Sequence, residues 1–348
     1  MQTHSIEAID LRSLPDEEMA ELNAFNNALR AETTPEDPPA PVDVTIASYR
    51  NIPDYVELRD FVVRTSGGER IADGEAAWAS VEENTHMVQA EIRVLSGHRR
   101  RGIGTELLRR VVEVAENEGR TLIIGGTTDR IPAGEAFALR VGAEPAIREH
   151  TNRLVLADVD REMIARWIGD GPSRAPGYSL VTVDGPYPDD LIDEVVDLHQ
   201  VMNTAPREDL DMEDWKLTVD QMRAEEKRTF AAGGERWYVA ARHDATGRLV
   251  GFTELFYNAK SQPNTFYQGG TAVRPEHRGH ALGKWLKAVN LERLMRERPA
   301  IVDVRTGNAD SNDAMLGINK ALGFAPYISH TGWQVRVEKV KEYLDARA

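Results

Sequence analysis

The residues best equipped for chemistry occur in two copies. His98-Arg99-Arg100-Arg101-Gly102-Ile103-Gly104 returns as His277-Arg278-Gly279-His280-Ala281-Leu282-Gly283, with Arg278 following Arg99 by 179 residues (278 minus 99). Each copy comes after an apolar, strand-like run and opens an amphipathic helix. Small residues in a loop at a helix N-terminus let backbone N–H groups converge on an anion, phosphate above all. The first copy assigns this role to Val94, Arg99, Arg100, Arg101, Gly102, Ile103, Gly104 and Thr105; the second assigns it to Val273, Arg278, Gly279, His280, Ala281, Leu282, Gly283 and Lys284. Positive side chains are unfavourable beside a helix N-terminus unless an anion is present. Arg99 to Arg101 therefore form one basic patch, and Arg278, His280, Lys284 and Lys287 form another. The expected ligand is a phosphorylated cofactor.

A different chemistry needs a carboxylate. Glu254 interrupts the apolar run Leu249-Val250-Gly251-Phe252-Thr253-Glu254-Leu255-Phe256-Tyr257, where strand alternation sends it either to solvent or into a cleft. Glu91 is the corresponding carboxylate of the first half, although Gln89 and Arg93 share its parity, which favours a polar outer face. Glu225-Glu226-Lys227-Arg228 reads as a solvated helix end. Trp167, Trp215, Trp237, Trp285 and Trp333 fall at apolar positions and read as core or interface. The nine His residues show no ligand spacing, so no metal site is expected.

The elements that must hold these groups also repeat. The offset of 179 (278 minus 99) pairs Gln89 with Gln268, Val94 with Val273, Leu107 with Leu286 and Thr127 with Thr306. Solenoid repeats run at roughly 20 to 50 residues, so this longer period means two whole domains. In the first half, strands are expected at 6–11, 57–64, 75–81, 87–94, 121–124 and 153–156, with helices at 15–31, 104–118 and 133–141. In the second, strands are expected at 178–183, 237–242, 249–257, 265–273 and 301–305, with helices at 189–202, 212–226 and 282–296. Between the halves lie a connecting helix, 160–168, and the joint Gly169-Asp170-Gly171-Pro172-Ser173-Arg174-Ala175-Pro176-Gly177. The expected organisation is a first domain at 1–158, a connecting helix and linker at 159–177, and a second domain at 178–348, both of the α/β class (α+β type).

Composition sets limits on partners. Residues of the hydrophobic set make up 41% and charged residues 28%, ordinary for a soluble globular chain, and no apolar run nears the ~20 residues of a membrane span. No membrane partner is expected. A formal charge of −15 argues against a general nucleic-acid binder, which needs Lys and Arg to neutralise phosphates, and suits a cationic small substrate. The absence of Cys removes disulfides, thiolate metal sites and a cysteine nucleophile. Met1-Gln2-Thr3-His4-Ser5-Ile6-Glu7 has neither a basic start nor an apolar core for export, so a cytoplasmic location is expected.

Neither loop is a Walker loop, which needs Gly-Lys followed by Ser or Thr, or a dinucleotide fingerprint, whose third glycine is replaced by Leu107. Arg99-x-x-Gly102-x-Gly104 instead resembles the phosphate loop of the GNAT superfamily of N-acetyltransferases, Gln/Arg-x-x-Gly-x-Gly/Ala. Arg278-x-x-Ala281-x-Gly283 departs at the first glycine, where Ala fits if its backbone is not left-handed. Thr306-Gly307-Asn308-Ala309-Asp310-Ser311-Asn312 followed by Ala321-Leu322-Gly323-Phe324 resembles the late strand, helix and Leu-Gly-Phe turn of the same family. The resemblance implies two tandem domains, each a mixed, mostly antiparallel sheet flanked by helices. It also implies acetyl-CoA (coenzyme A) as cofactor, its pyrophosphate on the loop and its thioester between the fourth and fifth strands.

The implied reaction is direct acetyl transfer to an amine of a small, cationic metabolite. An alkyl amine of pKa ~10.4 is protonated at pH 7, and exposing its lone pair costs roughly 4.6 kcal/mol. Glu254 is the candidate acceptor of that proton. The family often places a tyrosine four residues before the late glycine as acid for the departing thiolate; here Asn319 and Ala138 stand there, so water or Asn319 must donate. Asn312 resembles the family's asparagine on the pantetheine chain, with helix capping as its plainer role alongside a turn role for Asn308. At the 179-residue offset the first half has Asp129 and Ala133 instead, which places the active centre in the second domain. The alternatives are a noncatalytic acetyl-CoA-binding or regulatory protein, or an acyltransferase using another acyl-CoA. The assembly is a monomeric pseudo-dimer or a homodimer.

Overall fold

A computed structural model describes residues 4–347. In chain order its elements are β1 (His4–Ile9), α1 (Asp16–Thr33), α2 (Val42–Arg50), β2 (Val56–Thr65), β3 (Arg70–Ala79), β4 (Met87–Val94), α3 (Ile103–Asn117), β5 (Leu122–Thr128), α4 (Pro132–Arg140) and β6 (Glu144–Val155). There follow α5 (Arg161–Arg174), β7 (Tyr178–Asp184), α6 (Ile192–His199), α7 (Val219–Ala231), β8 (Glu235–His243), β9 (Leu249–Tyr257) and β10 (Thr265–Val273). The chain closes with α8 (Leu282–Glu297), β11 (Asp303–Ala309), α9 (Asp313–Leu322), β12 (Ala325–Arg336) and α10 (Val337–Asp345). No helix among the described residues is long and apolar enough to cross a membrane.

Two compact units result, and neither is a continuous stretch of sequence. The first holds the described residues through Arg148, Arg207–Glu213 and the segment from Ser329; the second holds Glu149–Pro206 and Asp214–Ile328. The strand order of the first is β1-β2-β3-β4-β5-β12, and of the second β6-β11-β10-β9-β8-β7. In each, one pair is parallel, β4 with β5 or β10 with β11, and the other pairings are antiparallel. Each sixth strand comes from the opposite half of the sequence: β12 pairs with β5 from His330↔Thr128 to Arg336↔Leu122, and β6 pairs with β11 from Asp303↔Val155 to Ala309↔Glu149. The contiguous division at 159–177 is therefore not the division of the packing, because the last strand of each half completes the other unit's sheet.

Helix packing follows the apolar periodicity in α3, where Leu107, Leu108, Val111, Val112 and Ala115 are buried and Gly119, at φ 66°, ends the turn that follows. α8 is buried on more of its circumference, because α5 covers it. A Cβ on Gly171 would lie 2.5 Å from the Trp285 ring, so the glycine admits the indole and the expected flexible joint runs on as helix to Arg174. Two further differences have local causes. α2 is not expected from the sequence, since its nine residues carry little periodicity. The helix expected from Met212 begins at Val219, where Thr218 and Gln221 form a reciprocal capping box. The residues before it are held extended in the first unit: Asp211 N–H donates to Gln334 at 3.0 Å, and Glu213 accepts from Asn84 N–H at 2.6 Å.

Two outcomes follow from these contacts. A fragment of residues 1–158 lacks β12 and the buried Trp333, Val335, Val337 and Val340; expressed alone it should aggregate or show no cooperative melt by circular dichroism, and a soluble, cooperatively melting fragment would contradict the strand exchange. Gly171→Ala should cost about 1–3 kcal/mol through overpacking against Trp285, read as a lower denaturant midpoint with unchanged slope.

Candidate functional site

Both loops enter their helices in the same way. A single 3-10 turn, Ser96–His98 or Pro275–His277, is followed by two left-handed residues two positions apart: Arg100 (φ 62°) and Gly102 (φ 88°) in the first unit, Gly279 (φ 89°) and Ala281 (φ 56°) in the second. Alternating the hand of successive residues turns their N–H groups toward one side, the geometry of an anion-binding nest. Gly102 and Ala281 are the N-caps of α3 and α8 and have no side-chain oxygen to satisfy the first-turn amides. Each loop thus has one glycine and one strained residue at these two positions. The condition set for Ala281 is not met: it is left-handed, at a cost of roughly 1–2 kcal/mol for an L-residue.

The basic side chains divide between bracing and exposure. Arg99 Nε donates to the Val94 carbonyl at 2.8 Å, and Arg278 Nε donates to the Val273 carbonyl at 3.0 Å. Their outer nitrogens reach Glu32 and Thr204. These two arginines fasten each loop to the end of its strand, while Arg100, His280 and Lys284 are exposed beside the helix heads. Lys284 also lies over the Trp167 ring, 5.2 Å from its centroid. Ile103 and Leu282 turn their side chains into the core and offer only main-chain donors. Lys287 does not belong to the basic patch at all; its side chain is enclosed.

A gap opens where the parallel strands part. Pairing stops at Gln89↔Ile124 in the first unit and at Gln268↔Thr306 in the second. Thr306 thus stands where Ile124 stands, and the expected pairing of Thr127 with Thr306 is corrected by the longer path of α8 into β11. In the second unit a bulge between Gln268 and Thr271 bends β10 away. Gln268 Nε2 bridges the break by donating to the Glu254 carbonyl at 2.7 Å and to Thr253 Oγ1 at 3.0 Å.

Glu254 points into this break, not to solvent. Its Oε1 accepts from Gly270 N–H at 3.1 Å, and its Oε2 faces Tyr187 OH at 3.5 Å and His199 Nε2 at 4.0 Å. His199 Nδ1 donates to the Val195 carbonyl at 2.8 Å, which leaves Nε2 turned to the carboxylate. Tyr187 is itself anchored. Arg236 stacks on its ring at 3.4 Å and pairs with buried Glu226 at 2.6 Å, while Glu226 also accepts from Tyr187 N–H at 2.7 Å. Burial pushes the Glu226 carboxyl up, but those hydrogen bonds and that from Arg223 hold it below its usual range. The reading of Glu225 to Arg228 as a solvated helix end is therefore corrected at Glu226.

The acetyltransferase (GNAT) family profile matches residues 24–142 and 192–324. The chain belongs to the GNAT acetyltransferase family. Its members are generally acyltransferases that bind acetyl-CoA. Among solved structures, a tandem GNAT protein from the clavulanic acid biosynthesis pathway, without acetyl-CoA, is 29% identical, with a TM-score of 0.78 over 96% of this chain and 99% of that one. A GCN5-related N-acetyltransferase from Sphaerobacter thermophilus shares the fold at 12% identity, with a TM-score of 0.62 over 95% of this chain and 96% of that one. No curated protein matches the chain.

The remaining candidates of this GNAT chain lie around α9. Asn312 is the N-cap of α9, its side chain accepting from Met315 N–H at 3.3 Å. Asn319 is 1% exposed; its Oδ1 accepts from Lys287 Nζ at 2.9 Å and its Nδ2 donates to Asn308 Oδ1 at 2.7 Å. The first unit differs at the same places. Leu108 and Ala138, which replace Lys287 and Asn319, are both core residues. β4 keeps an unbroken register with β3 from Val94 to Gln89, and a Cβ on Gly125 would lie 3.0 Å from the Ala90 carbonyl.

Sequence reasoning missed the first unit's counterpart of Glu254. At the offset that relates the loops it is Glu75, whereas Glu91 lies at the edge of the row with its side chain exposed. Glu75 sits opposite Asp60 on the neighbouring strand and is hydrogen-bonded to it. Burial, with the charge and hydrogen bond of Glu75, pushes Asp60 up to about 8, and burial with the charge of Glu91 raises Glu75. The repeat offset was the signal that could have found this pair.

Two measurements test these local assignments. Replacing Ala281 with Gly should stabilise the second unit by up to about 1 kcal/mol by removing the left-handed strain, read in the denaturant midpoint; a drop in stability would show that the alanine is not strained. Asp60 keeps its proton up to about pH 8 in the fold, while the unfolded chain releases it near pH 4. Over that window the folded state binds more protons, so Asp60 contributes stability that declines as pH rises. Asp60→Asn should flatten the fall in melting temperature between pH 4.5 and 8 relative to the parent; an identical slope would contradict the assignment.

Proposed function

We propose that the second unit transfers an acetyl group from acetyl-CoA to the amine of a small cationic metabolite, with Glu254 taking the amine proton. The observation that carries this reading is the bulge in β10, where the Glu254 carboxylate accepts from Gly270 N–H beside the opening between β10 and β11. The residues present suit the coenzyme. Main-chain donors from Gly279 to Gly283 and the exposed His280 and Lys284 match its phosphates, Val273 closes the strand leading to them, and Asn312 lies at the head of α9 beside the gap's far lip. Bound acetyl-CoA supplies the acyl group as a thioester. At the amine, Glu254 accepts a proton from the ammonium and so frees the lone pair; as the N–C bond forms and the C–S bond breaks, the electron pair leaves on sulfur, where an Asn319 N–H can donate a hydrogen bond, and the second amine proton passes to the thiolate. The small-molecule pathway of the tandem relative supports a small acceptor.

The first unit fits a binding role better than turnover. Its loop, Val94 and Arg99 to Thr105, has the full family spacing, yet its β4 is unbulged and the carboxyl at the Glu254 position shares a hydrogen bond with Asp60. We assign it coenzyme binding without acyl transfer, in a chain that acts as a monomeric pseudo-dimer or a homodimer in the cytoplasm.

Product formation from labelled acetyl-CoA across an amine panel tests both assignments. Glu254→Gln should lower kcat by about 100-fold or more, whereas Glu75→Gln and Glu91→Gln should leave it within a few-fold. The reverse pattern would move catalysis to the first unit. Coenzyme uptake with no product from any amine class would favour a regulatory, noncatalytic protein, and faster turnover with another acyl-CoA would replace the acetyl donor.

A further inference from the structure

One ionisable group of the second unit has no place in the proposed chemistry. Lys287 lies on α8, the helix whose head forms the anion loop, and its ammonium is enclosed, 3% exposed, with Asn319 Oδ1 at 2.9 Å and the Phe324 ring centroid at 5.9 Å. Enclosing a lysine is costly without an anion to pair it. Burial alone pushes it down to about 7; among the described residues no acidic or basic group of α5, α9, β8, β9, β10 or β11 contributes to that shift. The same place in the first unit is filled by Leu108, which packs with Ala138 at no such cost. The fold therefore does not need an amine here.

The hydrogen-bond chain explains what the amine does. An ammonium has donors only, so the amide of Asn319 must face it with oxygen, and Nδ2 must then be the donor to Asn308. Asn308 lies on β11 two residues beyond Thr306, where pairing with β10 has ended and the strand borders the gap. One N–H of Asn319 is spent on Asn308, and the other remains. We propose that Lys287 is the positioning residue for thiolate departure: it locks the Asn319 amide with oxygen inward, so that an N–H is presented at the gap to the sulfur as negative charge develops there. A neutral amine can also accept, so deprotonation of Lys287 frees the amide to turn over and removes the lock. This inference rests on the second unit being the one that turns over.

The test uses the full chain, steady-state rates and acetyl-CoA calorimetry. Lys287→Met, which matches the side chain's length without its charge, should lower kcat at least ten-fold while coenzyme affinity and the KM for acetyl-CoA stay within two-fold. Lys287→Arg, always protonated, should recover much of that rate and lack the decline in kcat expected of the parent as pH rises past about 7. Unchanged kcat in Lys287→Met overturns the proposal, as does a parallel loss of rate and coenzyme affinity in both variants, which marks a merely structural lysine. Glu254→Gln is measured alongside. If that variant still turns over, the assignment of the second unit has failed; if it is inactive while Lys287→Met is normal, only the role of Lys287 has failed.

Discussion

A broken strand pairing governs the second unit. Where β10 bulges at Gly269 and Gly270, backbone groups lose their ladder partners, and buried groups in that condition must be satisfied by something else. Two side chains do it, Gln268 from within the bulge and Glu254 from β9. A carboxylate drawn into an apolar layer needs its own support, and the aromatic and ionic groups of α6, α7 and β8 are arranged to give it. Tyr187 faces its outer oxygen, Arg236 and Glu226 hold Tyr187, and His199 presents an unblocked nitrogen. The glycines are demanded by the same contact, since a Cβ on Gly269 or Gly270 would strike Phe256 or Phe252 at 2.7 Å and 2.8 Å. The bond from Gly270 to Glu254 therefore links the opening of the gap to the burial of the carboxylate.

The duplicated unit shows the fold without that break. With β4 in regular register, the amides that a bulge would release stay in the ladder, and the carboxylate at the Glu254 position finds Asp60 instead. Two carboxyls at hydrogen-bond distance cannot both ionise cheaply, so the pair keeps a proton near neutrality. A protonated pair is a poor acceptor for an ammonium's proton at the same pH. The helix-side positions tell the same story: Leu108 and Ala138 extend the core of the first unit where Lys287 and Asn319 build a polar chain in the second. Polar groups that cost stability stand in the unit whose strand beside the gap is bulged.

Much of this was legible in the sequence for reasons that are local. The anion loops, the apolar face of α3 and the strands β9 and β10 are set by residue type and short-range periodicity, and each stands within a few residues of its expected place. The long-range features were not legible. Strand exchange leaves no periodic trace: the end of β6 reads as a strand whichever sheet it joins, and 325–336, where no strand is expected from the sequence, forms β12. A lysine on a helix is read as exposed, and only the covering of α8 by α5 and α9 shows that Lys287 is enclosed. By charge the arginines of the loops suit an anion; what the sequence does not show is that the Nε of Arg99 and of Arg278 donates to a strand-end carbonyl five residues back. Glu75 is legible only through the repeat offset, because the strand that enters the loop carries Glu91 and not the counterpart of Glu254.

The exchange of final strands also constrains how the chain reaches its fold. β5 offers Leu122-Ile123-Ile124 on an open edge until β12 arrives from the far end of the chain, and an apolar edge left unpaired is a template for association with other chains. Pairing at this sequence separation is slow to nucleate, since the entropy of closing the loop is lost before the contacts form. The glycines of β5 temper the hazard: Gly125 and Gly126 follow the apolar triplet and weaken its strand propensity. Gly125 is also fixed by the Ala90 carbonyl on its other side. A side chain at this position would crowd β4, and its absence makes the waiting edge less adhesive, so one glycine serves both the packing and the folding of that unit.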